Sequence, residues 1–569
     1  MVSDEKRSDV SKRLADVRDL LSSLAFPFPT PSAETGHDAQ TDVIHQLDDY
    51  ILPRYRDLDA PLLAVIGGST GSGKSTLINA IVREHVAHTS AVRPTTRQPM
   101  LMFNPADEAW FTDNRILPEL IRTQNAAVTD EPHHHLSLHA SESVPTGIAL
   151  IDSPDIDSFA QENRELAAQL LSAADLWVFV TTAARYADAI PWAMLDDAAE
   201  RNVVIGVVLN RVPRGQGAEI RPDLVQRLNS RGLGSAPLFM ISEQDFDDVG
   251  FIHDDDVASL RGWLTAMTRD AGARSAVVRQ TLAGAVSRLT VTLTDIHESY
   301  GEQVEIIDSL RWDIDDAVDH AMSDIDHALR DGVLLRGEVL ARWQDIVGAG
   351  TWTRALDNSV GKIRDRISEW FTGKKSPESD AVEAIEEGVH TLLVAQAETA
   401  VRQVHTAWQR SGLIESPAPL RSDTERKEEA ARIVREWQEE LFALVSAEIG
   451  GKKATARVLA LGVNAIGLAL MITVFSATAG LAGGEVAIAG GTAVVAQRVL
   501  EAVFGDDAVR RMTKKATESL RERAADFIGE DVDVFRTTLD DLGITVEKHR
   551  ELAEATTTLR HAYRKESAS

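Results

Sequence analysis

The stretch Leu62-Leu63-Ala64-Val65-Ile66-Gly67-Gly68-Ser69-Thr70-Gly71-Ser72-Gly73-Lys74-Ser75-Thr76 reads as an apolar strand that runs into G-x-x-x-x-G-K-S, and Leu77-Ile78-Asn79-Ala80-Ile81 continues it as a helix. Glycines at 68, 71 and 73 let successive backbone N–H groups turn inward around an anion at a helix N-terminus. In a loop of this kind Lys74 reaches the β- and γ-phosphates and the Ser75 hydroxyl ligates Mg²⁺. The predicted nucleotide-binding set is therefore Gly68, Ser69, Thr70, Gly71, Ser72, Gly73, Lys74, Ser75 and Thr76.

Outward from this loop, over residues 60–265, short apolar runs alternate with helical stretches. Examples are Ile148-Ala149-Leu150-Ile151, Leu176-Trp177-Val178-Phe179-Val180 and Val203-Val204-Ile205-Gly206-Val207-Val208-Leu209. Runs apolar throughout, separated by helices, predict an α/β head whose mostly parallel sheet is buried on both faces. Residues 1–59 carry two helical patterns split by Phe26-Pro27-Phe28-Pro29-Thr30-Pro31, and they are expected to pack on a helical neck or trunk. After 265 the strand signals stop. Val278, Leu282, Val286, Leu289, Leu293, Ile296, Tyr300, Val304, Ile307 and Leu310 keep helical spacing without proline, which predicts one long amphipathic helix opening an all-α trunk over 266–455.

Val458 to Gly484 carries no charge over about 27 residues, longer than the ~20 that span a bilayer as a helix. Glu485 and a second uncharged run, Val486 to Gln497, follow. Lys452, Lys453 and Arg457 precede the segment; Arg498, Arg510, Arg511, Lys514 and Lys515 follow it. Basic residues on both outer sides favour a hairpin over a single crossing, so 456–504 is expected to be a hydrophobic membrane insert at the tip of the trunk. The other reading is an Ala/Gly-rich helix pair buried in the bundle. Residues 505–569 are expected to return along the trunk as charged helices. The protein would then sit on the cytoplasmic side of the cell membrane.

The formal net charge of −29 argues against a general affinity for nucleic acid, which rests on Lys and Arg neutralising phosphates. With no cysteine in 569 residues, disulfides, thiol catalysis and Cys-ligated zinc are excluded. The run His133-His134-His135 reads as a loop or strand start rather than a metal site.

Motifs after the phosphate loop fall in a telling order. Ile148-Ala149-Leu150-Ile151-Asp152-Ser153-Pro154-Asp155 is a strand ending in an acid, where Asp152 is placed to hold Mg²⁺ through water. In Arg93-Pro94-Thr95-Thr96-Arg97-Gln98-Pro99, the Thr96 hydroxyl is a candidate to complete the Mg²⁺ shell when a γ-phosphate is present. Asn210-Arg211-Val212-Pro213 ends another strand at the base-reading position, and Ser242 ends the next one, where a short loop touches the base. The catalytic candidates are thus Lys74, Thr96 and Asp152, with Ser75, Thr96 and Asp152 around the metal and Asn210, Arg211 and Ser242 near the base.

On Gly68 to Thr76, Thr95-Thr96-Arg97-Gln98-Pro99, Asp152-Ser153-Pro154 and the long helices with their apolar segment, the chain resembles bacterial dynamin-like GTPases. The resemblance implies GTP as substrate with Mg²⁺, head dimerisation as a homodimer or with a related dynamin-like partner, and fusion, fission or stabilisation of lipid membranes. The chain also departs from the pattern. Dynamins carry Gln and Ser where this loop has Thr70 and Gly71, Asp155 replaces the Gly of D-x-x-G, and Pro213 replaces the guanine-reading Asp. A regulatory GTP-binding scaffold would need the same head. A transport ATPase shares the phosphate-loop pattern, but the sequence has no L-S-G-G-Q and only one hydrophobic region. A small-molecule kinase has no use for some 300 residues of helix.

Overall fold

The computed structural model describes residues 4–86, 98–113, 116–124, 135–157, 161–269, 271–330, 377–411, 420–448, 463–477 and 487–567. It divides into two compact units, Met1–Val304 with Thr545–Ser569, and Glu305–Ile544.

The first unit starts with α1 (Asp4–Ser22) and α2 (Ala33–Gln46), which passes through a π-helical turn, Leu47–Ile51, into α3 (Leu52–Arg56). Then come β1 (Leu62–Gly68), α4 (Lys74–Val82), β2 (Met100–Phe103), β3 (Ile121–Gln124), β4 (His135–Ala140), β5 (Ile148–Asp152), α5 (Gln161–Ser172), β6 (Leu176–Thr182), α6 (Ala189–Glu200), β7 (Val204–Val212), α7 (Gly217–Ser230), β8 (Leu238–Ser242), α8 (Asp254–Thr268) and the 60-residue α9 (Ala271–Arg330).

The eight strands are ordered β3-β4-β2-β5-β1-β6-β7-β8, and β2 against β5 is the antiparallel pairing. β1 is buried over all seven residues because the pleat sends alternate side chains into two cores. Leu63 and Val65 join Ile151, Phe179, Val207 and, from α5, Leu170. Leu62, Ala64 and Ile66 join Val178, Val208 and, from α4, Ile78 and Ile81. In register, Ile66 pairs with Asp152 of β5 and Gly68 with Val180 of β6. The chain leaves β1 with a neighbour on each side, so its carboxyl end lies at the crevice where open α/β sheets bind ligands.

Outside the sheet, α1 packs on the C-terminal helix, Val546–Ser567, burying Val10, Leu14, Val17 and Leu21. The proline-rich segment is held against α9 by Gln303, whose Nε2 donates to the Phe28 carbonyl and whose Oε1 accepts from the Phe28 N–H, both at 3.0 Å. Arg54 of α3 pairs with the fully buried Asp175 before β6 and donates to the Ala60 and Pro61 carbonyls, at 3.1 and 2.8 Å. Asp175 also accepts from the Leu63 N–H at 2.7 Å, so one ion pair fixes the start of β1.

The second unit is helical: α10 (Pro377–Ser411), α11 (Asp423–Ala447), α12 (Val463–Ala477), α13 (Ala487–Phe504) and α14 (Asp506–Asp541), with the distal part of α9. Ser422 and Glu425 form a capping box at the start of α11. Trp437 is buried and donates from Nε1 to the Ala516 carbonyl at 2.9 Å, and Trp408 meets Phe535 edge to face at 4.9 Å. The buried Asp531 is paired with Arg426 and Arg421.

One sequence expectation changes here. No helix among the described residues is long and apolar enough to cross a membrane. α12 has 15 residues, about 22 Å, against a hydrocarbon core of about 30 Å. Its Ile466 to Phe475 stretch is buried against α10, α11, α13 and α14. Gly467 makes this close, because a Cβ there would overlap the Phe442 ring of α11. The described part of the apolar run, Ile466 to Phe475, is thus the inside of a bundle, and residues 478–486 lie outside the described ones. The return segment consists of two helices, α14 and Val546–Ser567. Gly543, at φ +63°, ends α14, and the following helix belongs to the first unit.

Candidate nucleotide-binding site

The loop from Gly68 to Gly73 joins the carboxyl end of β1 to the N-terminus of α4. Two of its glycines are required by their surroundings. A Cβ at Gly68 would collide with the Val180 carbonyl of β6. Gly73 sits at φ +93° as the N-cap of α4, and a Cβ there would strike the Asn210 amide. The Ser69 and Ser72 hydroxyls are buried and have no hydrogen-bond partner among the described residues. Buried hydroxyls without partners are rare in proteins, and here they line a loop whose ligand is rich in acceptor oxygens.

Lys74 is 4% exposed and folds back over the loop. Its Nζ donates to the Gly68 carbonyl at 2.9 Å and the Ser69 carbonyl at 3.3 Å, and it forms an ion pair with Asp155. The Ser75 hydroxyl donates to Asp152 Oδ2 at 2.8 Å. Burial raises the Asp152 carboxyl to about 6, against the Ser75 hydrogen bond and the nearby Lys74 charge, which both lower it. Asp152 Oδ1 is buried with no hydrogen-bond partner among the described residues. A hydroxyl and an orphaned carboxylate oxygen at the head of a phosphate loop are hard oxygen donors, and they fit Mg²⁺. No group of three or more His, Cys, Asp or Glu among the described residues forms a separate metal site.

The base-side candidates divide. Asn210 Nδ2 donates to the Ser72 carbonyl at 2.9 Å, and its Oδ1 accepts from the Arg211 N–H at 2.9 Å. Asn210 therefore braces the phosphate loop from β7. Arg211 lies at φ +52° with an exposed side chain, and Ser242 is exposed at the end of β8. Thr76 lies in the first turn of α4, while Thr96 falls outside the described residues.

Two residues at the site escape reading by motif, Asp157 and Arg185, and the Lys74 partner of Asp155 escapes it too. Asp157 Oδ1 accepts from the Thr70 N–H at 2.6 Å and the Thr70 hydroxyl at 2.8 Å. Arg185, three residues beyond β6, donates to the Thr70 carbonyl at 2.9 Å and to Asp157 Oδ2 at 2.6 Å. The acids stand in the D-S-P-D-I-D run, so their presence was visible and their partners were not.

Residues 63–211, from β1 through Arg211, match the family model described as 50S ribosome-binding GTPase. The head is a P-loop GTPase domain. No curated protein sequence matches the chain. Among solved structures, the chain is similar to a bacterial dynamin from an oligomerised pair described as a mechanism for long-range sensing and tethering of membranes. That likeness has 12% identity and a TM-score of 0.43, over 95% of this chain and 96% of that one. It is also similar to the LeoA bacterial dynamin GTPase from ETEC, at 12% identity and a TM-score of 0.23, over 100% of this chain and 96% of that one. Aquifex aeolicus Era bound to GDP and AlF4⁻ is similar at 18% identity and a TM-score of 0.24, over 36% of this chain and 56% of that one.

Proposed function

We propose that this chain is a bacterial dynamin-like GTPase that binds and hydrolyses GTP with Mg²⁺ and couples head pairing to the binding and remodelling of a lipid membrane. The observation that carries the nucleotide half is the Ser75–Asp152 hydrogen bond beneath Lys74, at the carboxyl end of the central strand. Lys74 neutralises the β- and γ-phosphates, and Ser75 with Asp152 holds the metal, Asp152 through water. Held there by Ser75 and Asp152, Mg²⁺ would supply positive charge against the charge that develops during transfer. Asn210 keeps the loop in register with β7, so its loss would disturb phosphate binding before base choice. With Pro213 in place of the guanine-reading acid, preference for GTP rests on the remaining base-side contacts and the family resemblance.

The membrane half is supported by that resemblance, by the apolar α12 and by the basic residues Arg498, Arg510, Arg511, Lys514 and Lys515 that follow it. Contact with lipid through α12 requires this helix to leave the bundle, which costs the burial of Ile466 to Phe475 unless lipid replaces it. The membrane partner is expected at the cytoplasmic face, with a second copy or a related dynamin-like chain as the protein partner.

The test is turnover of GTP against ATP with Mg²⁺, with and without anionic liposomes. GTP preference and lipid stimulation support the reading, and loss of turnover on chelating Mg²⁺ supports the metal assignment. Preference for ATP would overturn the nucleotide, and absence of both flotation and stimulation would reduce the function to a GTP-regulated scaffold.

A further inference from the structure

Every hydrogen-bonding group of Thr70 is held from outside the phosphate loop. Asp157 takes its N–H and its hydroxyl, and Arg185 takes its carbonyl. Arg185 and Asp157 are joined to each other, which closes a ring of three residues, and Arg185 Nε is anchored on Asp188 Oδ2 at 2.8 Å. The ring ties together three segments far apart in sequence: the loop after β1, the run after β5 and the turn after β6.

The chemistry of the loop gives the ring its meaning. At positions 70 and 71 the loop carries a short hydroxyl and a glycine, and neither side chain reaches past the end of a triphosphate to a water in line with it. Geometry at the γ-phosphate must then come from where the loop backbone is held. A guanidinium fork suits this task, because it fixes a carbonyl and a carboxylate in one plane.

We propose that Arg185 is a positioning residue for GTP hydrolysis, acting through Asp157 to hold Thr70 at the rim of the phosphate loop. The inference rests on the reading of this site as a GTPase. A γ-phosphate that takes the Thr70 N–H draws it from Asp157, and Arg185 keeps the carbonyl side of the same residue fixed as that exchange occurs. The Arg185 side chain is 38% exposed while that of Asp157 is 7% exposed, and without Arg185 the Asp157 carboxylate still accepts from the Thr70 N–H and hydroxyl, which limits the cost to folding. Loss of Arg185 should therefore appear in the rate rather than in the melting temperature.

The experiment compares single-turnover GTP hydrolysis, GTP and GDP affinity by fluorescence titration, and Tm for wild type, Arg185→Ala, Arg185→Lys, Asp157→Asn and Arg185→Ala with Asp157→Asn. We expect kcat to fall about ten- to a hundredfold in Arg185→Ala, with affinity within threefold and Tm unchanged, a loss typical of a misplaced catalytic geometry. Lysine cannot make both bonds at once and should restore only part of the rate. The double variant should be no slower than the worse single one, because both act through Thr70. Unchanged kcat in Arg185→Ala, full rescue by lysine, or additive losses would overturn the proposal. If Arg185→Ala does not fold, the Asp157→Asn and Arg185→Lys rates decide. Absence of GTP turnover in wild type would instead remove the GTPase reading itself.

Discussion

Lys74 and Asp155 form an ion pair across the mouth of the phosphate loop, with the two side chains 4% and 15% exposed. Asp155 stands where D-x-x-G proteins have glycine, so the carboxylate occupies the cation that a triphosphate needs. Nucleotide binding has to displace or share it.

Replacing Asp155 by Asn keeps the side-chain volume and removes the competing charge. GTP affinity is expected to rise about tenfold, or about 1.4 kcal/mol, measured by titration with a fluorescent GTP analogue. Equal or weaker binding would show that Asp155 helps the nucleotide rather than opposing it.

Asp49, in the π-helical turn between α2 and α3, is buried and accepts from Gln169 Nε2 of α5 at 3.0 Å. Burial raises its carboxyl to about 6 from 3.8, although the Gln169 hydrogen bond lowers it. With the folded value above the unfolded one, this group favours the folded state fully below about pH 4, and that contribution is lost as pH rises through about 6. A shift of about two units corresponds to roughly 3 kcal/mol. Asp49→Asn is therefore expected to raise Tm by a few degrees at pH 7.5 and to change it little at pH 4.5. A stabilisation equal at both pH values would contradict this account.

Arg54 is the counter-charge of Asp175, and both are buried. Arg54→Ala leaves the carboxylate and the Ala60 and Pro61 carbonyls short of their partner, at a cost of about 3–5 kcal/mol. Denaturant unfolding followed at the head should show that loss. A deficit below 1 kcal/mol would mean that water takes over the pairing.

The head was legible because its signals are local. Strand runs, glycine spacing and a terminal acid each sit within a few residues, and β1, β5, β6, β7 and β8 appear where these runs stand. The long helix α9 was legible for the same reason, from one unbroken apolar stripe. The pairing of Asp155 with Lys74 and the ring on Thr70 were not, since they join residues 28 to 115 apart and no short pattern encodes them. The apolar run around α12 was read as a membrane hairpin, and its burial in a bundle was not legible, because hydropathy measures only avoidance of water. A bilayer and the interior of a bundle satisfy that equally, and only Gly467 opposite Phe442 tells them apart. The break near Gly543 was in plain view as a glycine after a helical stretch.

The packing of α1 on the helix Val546–Ser567 sets a clock on synthesis. The stripe of Val10, Leu14, Val17 and Leu21 meets its covering helix about 520 residues later. At about 5–20 residues per second, that is roughly half a minute to two minutes. Throughout that interval an amphipathic helix lacks its partner surface, which invites chaperone binding to the nascent chain. The GTPase head therefore reaches its finished form only when the last helix has emerged, so a stalled or truncated product carries the phosphate loop without the structure that completes its unit.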